Sequence, residues 1–287
     1  MNQPRNPNLF IVGYPKTGTT SIYAFLARHP EVCPSKLKEP GDWEHLTNLA
    51  PNSEAHAEYL ENFSDCPTKR YLMDASTRYI LHPQAAALIK QLNPEAKIII
   101  GLREPLSYLA SFCFQQEKNT GKPRNIKDDI ARNVAYTRIT LFESVKRFAQ
   151  EFDKNSIFFY LFDELQASND AVGLRILDFL GLEKPKEYNS FPQQNISVKG
   201  KTPLHDAVYR HLLHGQIPRL ARSWLRSIGI KNYQFIANSL TRKVDYRKLI
   251  DSDLEKALKH RFTEDVNKLA LLTNKDLPSL WGYPKAS

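Results

Sequence analysis

The segment that most constrains the fold begins at Leu9. Leu9-Phe10-Ile11-Val12 is a short apolar run ending at Gly13, with no polar residue alternating within it. Such a run suits a strand buried on both faces, as in a parallel sheet. From Thr19 to Arg28 the apolar residues Ile22, Phe25 and Leu26 recur at helical spacing, and Pro30 stops the pattern. Between the two stands Gly13-Tyr14-Pro15-Lys16-Thr17-Gly18-Thr19-Thr20, two glycines with four residues between them, followed by two hydroxyls. Strand, glycine-bearing loop and helix in that order converge backbone N–H groups and a helix N-terminus on one point, which suits an anion. A kinase or ATPase loop carries lysine directly after its second glycine. Here Thr19 has that place and Lys16 sits inside the loop, from where it can reach the oxygen between a phosphate and the group it carries. Thr17, Thr19 and Thr20 add hydroxyl donors.

The same alternation continues along the chain. Residues 31–67 read as loop-rich, with a short helix near 55–63. Tyr71 to Ala75 reads as a strand, Pro83 to Leu92 as a helix with proline in its first turn, and Lys97 to Leu102 as the clearest strand of all. Pro105 opens a helix running to about Glu117, Asp128 to Phe152 carries a long helical pattern, Ser156 to Phe162 is β-rich, and Asp170 to Leu180 is helical up to Gly181. Apolar strands alternating with helices predict an α/β fold, a three-layer sandwich around a central parallel sheet of about five strands. From Pro203 onward the chain reads as mainly helical, with no strand. A single domain over 1–287 is expected, with an α/β core over 8–182 and a helical extension over 203–287.

The stretch PKTGTTSIYAFLARHPEV resembles the 5′-phosphosulfate loop of sulfotransferases that use 3′-phosphoadenosine 5′-phosphosulfate (PAPS). The resemblance implies a P-loop-like fold, donor contacts from Lys16, Thr17, Gly18, Thr19 and Thr20, and no metal. That family places an arginine at a strand end and a serine eight residues on, both holding the 3′-phosphate. Arg103 and Ser111 in KIIIGLREPLSYLASF match, with Ser107 a weaker alternative. Arginine suits the task, since its planar fork binds phosphate bidentately, and ligands of open α/β sheets bind beyond the carboxyl ends of strands. DASTRYILHP is similar to the family's Glu-x-Ser-Pro-x-Tyr segment, although Thr77 replaces the proline. FDEL with FLGL, and the closing helix before Trp281, are similar to later family segments.

Sulfonate transfer is an in-line displacement, in which a protein mainly aligns the partners and stabilises the leaving oxygen. Lys16 is the candidate for that electrostatic role. Lys38-Glu39-Pro40 resembles the segment in which carbohydrate-type members carry their base, so Glu39 is the candidate to take the acceptor's proton. Lys38 is a further donor or acceptor contact. His45, His82 and Asp74 are fallback bases, and His29 is expected only to end its helix. Lys199 and Lys201 lie where related enzymes close a basic loop over the nucleotide. The acceptor is left open among glycan, lipid, polyketide and small phenol, and the released product is adenosine 3′,5′-bisphosphate.

Composition bears on partners and compartment. The formal charge is +9, from 40 basic and 31 acidic residues, which attracts anionic partners. No basic block is interleaved with aromatics, so nucleic acid is not the expected partner. No apolar run is long enough for a membrane span. Three cysteines are too few for a complete disulfide framework, which suits a reducing, cytoplasmic setting. Two other readings compete: a divergent P-loop nucleotide kinase, which lacks its lysine after Gly18, and a non-catalytic nucleotide- or polyanion-binding protein.

Overall fold

The computed structural model describes residues 5–41, 53–66, 68–120, 141–184, 198–200, 241–243 and 250–286. In chain order these form β1 (Leu9–Ile11), α1 (Thr19–Leu26), β2 (Val32–Pro34), α2 (Glu54–Leu60), β3 (Tyr71–Asp74), α3 (Ala85–Leu92), β4 (Lys97–Leu102) and α4 (Pro105–Thr120). They continue with α5 (Leu141–Glu151), β5 (Ile157–Leu161), α6 (Phe162–Ala167), α7 (Asn169–Leu180), β6 (Val198–Gly200), β7 (Thr241–Lys243), α8 (Ser252–Thr273) and α9 (Leu277–Trp281). Two compact units result, one from residues 1–195 with 249–287 and one from residues 196–248.

The first unit holds a five-stranded sheet in the order β2-β3-β1-β4-β5, and every pairing in it is parallel. Leu9, Ile11, Met73 and Ile99 form one face, packed with Ile22, Phe25 and Leu26 of α1 and Val172, Ile176 and Leu177 of α7. Phe10, Leu72, Ile98 and Ile100, which alternate with them, are just as buried, so the opposite face is covered too. The expected α/β architecture is present. Gly13 and Gly101 let β1 and β4 close up at their carboxyl ends, since a Cβ on Gly13 would stand 3.0 Å from the Gly101 Cα.

The chain reverses its direction of travel across the sheet at the pair β1 and β4. From β1 it moves toward β2, and from β4 it moves toward β5, so the loops after β1 and β4 diverge. A crevice therefore opens beyond the carboxyl ends of these two strands, the position where open α/β sheets take their ligands.

Several expectations are corrected. Strand β2 lies in the segment read as loop; it is a three-residue edge strand ending at Pro34, and proline is tolerated there because an edge N–H has no partner to lose. Phe162 opens α6 rather than ending β5: the Glu164 carboxylate accepts the Leu161 N–H at 3.0 Å and starts the helix. The tail was expected to lack strands, yet Thr241–Lys243 pairs antiparallel with Val198–Gly200 in the second unit. Neither trio alternates apolar with polar residues, and the pairing spans some forty positions of sequence. Cys33 and Cys66, expected as thiols, form a disulfide with Cα atoms 5.6 Å apart, and Cys113 is the buried free thiol. The expected helix over 128–152 is described only from Leu141, and residues 203–240 lie outside the described part. Among the described residues no helix is long and apolar enough to cross a membrane.

Candidate active site

The loop after β1 is fixed by its own backbone. Thr17 is fully buried and its hydroxyl donates to the Tyr14 carbonyl at 2.6 Å, closing a tight turn. Gly18 caps α1 with φ 88°, in the left-handed region, and a side chain there would collide with Leu165 of α6. Among the described residues no side chain caps α1, and its first turn carries no acid. By contrast α6 opens with Asp163 and Glu164 and α8 with Asp253 and Glu255. The positive end of α1, beside Thr19 and Thr20, thus suits an anion.

Arg103 leaves β4 across the crevice. It is largely buried, its Nη1 donates to the Lys16 carbonyl at 2.7 Å, and its guanidinium stacks 4.2 Å from the centre of the Phe162 ring. One residue on, the buried Glu104 carboxylate accepts the Leu106 and Ser107 N–H groups at 3.0 and 2.7 Å and the Tyr283 hydroxyl at 2.7 Å. The N-terminus of α4 is therefore already capped, and the alternative Ser107 sits at that cap. Ser111 lies deeper on α4. It is fully buried and its hydroxyl has no hydrogen-bond partner among the described residues. A buried hydroxyl lacking a partner costs free energy unless something supplies one. A phosphate held by Arg103 is such a group, so the residues present fit the 3′-phosphate of the expected donor.

Lys16 has a left-handed backbone, φ 71°, and its ammonium donates to Gln115 Oε1 at 3.1 Å. Gln115 went unnoticed in the sequence, although Ser107, Ser111 and Gln115 recur every four residues and mark one polar stripe on α4. The sequence-read anchors Lys16, Thr17, Gly18, Arg103 and Ser111 thus gather on two neighbouring strand ends.

Glu39 follows β2 and is also left-handed, φ 61°. Its Oε1 accepts from Lys38 Nζ at 2.6 Å and lies 3.4 Å from the Thr77 hydroxyl. Among the described residues only Lys16, Glu39 and Asn274 combine a side chain with positive φ. Asn274 ends α8, an ordinary place for it. The other two are the candidate catalytic residues, and strained backbone of this kind concentrates where function holds it.

The fallback bases have other work. Asp74 is fully buried, and its four lone-pair positions are taken by Ser76 N and Oγ and by the Tyr59 and Tyr79 hydroxyls, at 2.6 to 3.0 Å. Burial pushes its carboxyl up and these donors oppose that rise. His82 accepts the Gln84 N–H through Nδ1, and burial and then Arg147 lower its pKa. His29 bonds the Glu183 carbonyl and the Glu31 N–H at the end of α1, as expected of a helix terminator. His45 and Lys201 lie outside the described residues. Lys199 lies in β6 of the second unit, opposite Arg242.

Residues 6–197 match the Sulfotransferase domain family. The chain belongs to the sulfotransferase family. Among curated relatives of this chain, the membrane-associated sulfotransferase kil1 of Dictyostelium discoideum is 28% identical over 120 residues, 41% of this chain and 25% of that protein. The bifunctional heparan sulfate N-deacetylase/N-sulfotransferase 2 of Homo sapiens is 32% identical over 127 residues, 42% of this chain and 14% of that protein. The matched stretches thus span a quarter or less of these relatives. A solved sulfotransferase from Alicyclobacillus acidocaldarius superposes with TM-score 0.64 at 20% identity, covering 96% of this chain and 98% of that one. A mouse sulfotransferase, SULT7A1 complexed with PAP, reaches TM-score 0.52 at 15% identity, over 93% and 86%. At such identities the likeness is one of fold.

Proposed function

We propose that this protein transfers the sulfonate of PAPS to a hydroxyl or amine of an acceptor and releases adenosine 3′,5′-bisphosphate. The observation that carries the reading is the convergence at the β1 and β4 strand ends. Arg103 is bonded to the backbone of Lys16, and the orphaned Ser111 hydroxyl lies two turns along α4. Two phosphate anchors so placed suit a nucleotide phosphorylated at both ends.

In this reading the open N-terminus of α1, with Thr19 and Thr20, holds the 5′-phosphosulfate, and Arg103 with Ser111 holds the 3′-phosphate. PAPS, when bound, supplies the sulfonate and a phosphate leaving group. Lys16 places its charge beside the leaving oxygen as the bond from sulfur to that oxygen breaks. Glu39 takes the proton of the acceptor as its oxygen or nitrogen bonds to sulfur. An acceptor among glycans, lipids or small molecules is expected, and the heparan sulfate sulfotransferase named above favours a glycan. Residues between Cys33 and Pro67 are proposed to line the acceptor site.

Replacing Glu39 by Gln tests the chemistry. Turnover is expected to fall by about 10²- to 10⁴-fold, with affinity for adenosine 3′,5′-bisphosphate unchanged; unchanged turnover would remove Glu39 from the mechanism. The compartment is tested by thiol counting, because the Cys33–Cys66 bond persists only where thiols are not kept reduced. Alkylation of the protein unfolded without reductant should modify one thiol, Cys113, and leave Cys33 and Cys66 paired; three modified thiols in protein taken from the cell would favour a reducing, cytoplasmic setting.

A further inference from the structure

The buried carboxylate of Asp74 ends β3, next to the strand that carries the phosphate loop, and the fold spends three hydroxyls and a backbone N–H on it. The Ser76 hydroxyl gives its proton to Asp74 Oδ1 at 2.6 Å, and the Ser76 N–H reaches the same oxygen at 2.8 Å. The Tyr59 and Tyr79 hydroxyls converge on Oδ2 at 2.6 and 3.0 Å. Every partner is a donor, so the arrangement suits the ionised acid, and protonation would break a bond.

What this network touches next is the loop that bears Glu39. With its proton committed to Asp74, Ser76 can only accept, and it accepts the Gly41 N–H at 3.1 Å. Gly41 also packs so closely on Tyr79 that any side chain there would meet the phenol oxygen. At the other end Ser35 N donates to the Met73 carbonyl at 3.1 Å and Lys36 N to the Asn62 carbonyl at 2.9 Å. Residues 35–41 are thus pinned at both ends. Thr77, the neighbour of Ser76, places its hydroxyl 3.4 Å from Glu39 Oε1. A left-handed glutamate persists only where its surroundings over-determine the backbone, and these contacts do so.

We propose that Asp74 and Ser76 are positioning residues for Glu39: the buried carboxylate orients the Ser76 hydroxyl, which fixes Gly41 and, through it, the base loop. This rests on Glu39 being the base. The role has a kinetic signature, because a misplacement of about 1 Å can cost on the order of 10²-fold in rate while donor binding at β1 and β4 is untouched.

The test is a double-mutant cycle with Ser76→Ala and Glu39→Gln in the full chain. Turnover is measured with PAPS and whichever of p-nitrophenol, N-desulfated heparan sulfate or a hydroxysteroid reacts fastest. Ser76→Ala should lower kcat by roughly 10- to 100-fold, leave the Kd for adenosine 3′,5′-bisphosphate within about twofold, and cost less than about twofold more in the Glu39→Gln background, since residues acting as a unit are non-additive. Asp74→Asn, which keeps shape and an acceptor for Ser76, should show the same pattern with a smaller loss. Equal losses in both backgrounds, or a Ser76→Ala enzyme with normal kcat, overturn the positioning role while the Glu39→Gln loss still stands. Normal turnover in Glu39→Gln, or no turnover with any of the three acceptors, overturns the base assignment and this role with it.

Discussion

Lys16 and Glu39 hold a backbone conformation that costs a residue with a Cβ on the order of 1–2 kcal/mol. Glycine normally destabilises a folded site relative to alanine, by roughly 0.5–1 kcal/mol. At residue 39 that order should reverse. Glu39→Gly is expected to be more stable to urea than Glu39→Ala by about 1 kcal/mol, with both inactive. The Lys38–Glu39 pair at 2.6 Å is lost equally in both variants, and exposed as it is, it contributes little. Alanine proving the more stable would show that the loop relaxes and that φ 61° is not enforced. Both catalytic candidates could be found in the sequence because motif spacing carries them. Their strain could not, since φ is fixed by Arg103 bonding the Lys16 carbonyl and by Ser76 bonding the Gly41 N–H, contacts made across 87 and 35 positions. Asp74 could be picked out as an acid of interest, but its burial among two tyrosines depends on α2 and the turn at Thr77–Leu81 meeting over β3.

At the scale of elements, α5 shows how the C-terminal segment supports the core. Its first N–H groups, on Leu141 and Phe142, are accepted by the carboxylate of Asp265 on α8 at 2.7 and 3.1 Å. Burial is the main cause that lifts the Asp265 carboxyl from 3.8 to about 6, against the pull of those two N–H groups. The native state thus holds this proton more tightly than the unfolded chain does, so stability conferred by Asp265 is full below about pH 4 and declines as pH rises through 6. Relative to Asp265→Asn, the wild type should lose about 2 kcal/mol between pH 4 and pH 7, read by urea unfolding at both values. A difference independent of pH would contradict the assignment. The regular elements were legible wherever apolar periodicity ran long enough: Lys97–Leu102 has the bounds its sequence implies. Strand β2 and helix α6 were not. One is three residues closed by proline, and the other starts on a glutamate cap within an aromatic run that reads as strand.

For the whole molecule, strand order decides where chemistry can occur. Parallel strands in the order β2-β3-β1-β4-β5 put the carboxyl ends of β1, β2, β3 and β4 on one side of the sheet, so Lys16, Glu39 and Arg103 follow their strands there and Asp74 ends its own there. The end of the chain returns to that side, with Trp281 donating to Asp163 at 3.1 Å and Tyr283 to Glu104 at 2.7 Å. The sequence implied a parallel sheet through its unalternated strands, but it held no sign of this return, which joins side chains 118 and 179 positions apart.

The central claim is a donor phosphorylated at both ends, anchored at β1 and β4. The most direct measurement is calorimetric titration of wild type and Arg103→Ala with adenosine 3′,5′-bisphosphate, alongside ATP with magnesium. Saturable binding of the bisphosphate is expected, weakened about 10- to 100-fold by the substitution as a charged hydrogen bond of roughly 1.5–3 kcal/mol is lost, with no comparable binding of ATP. Preference for ATP, or bisphosphate binding indifferent to Arg103, would contradict it.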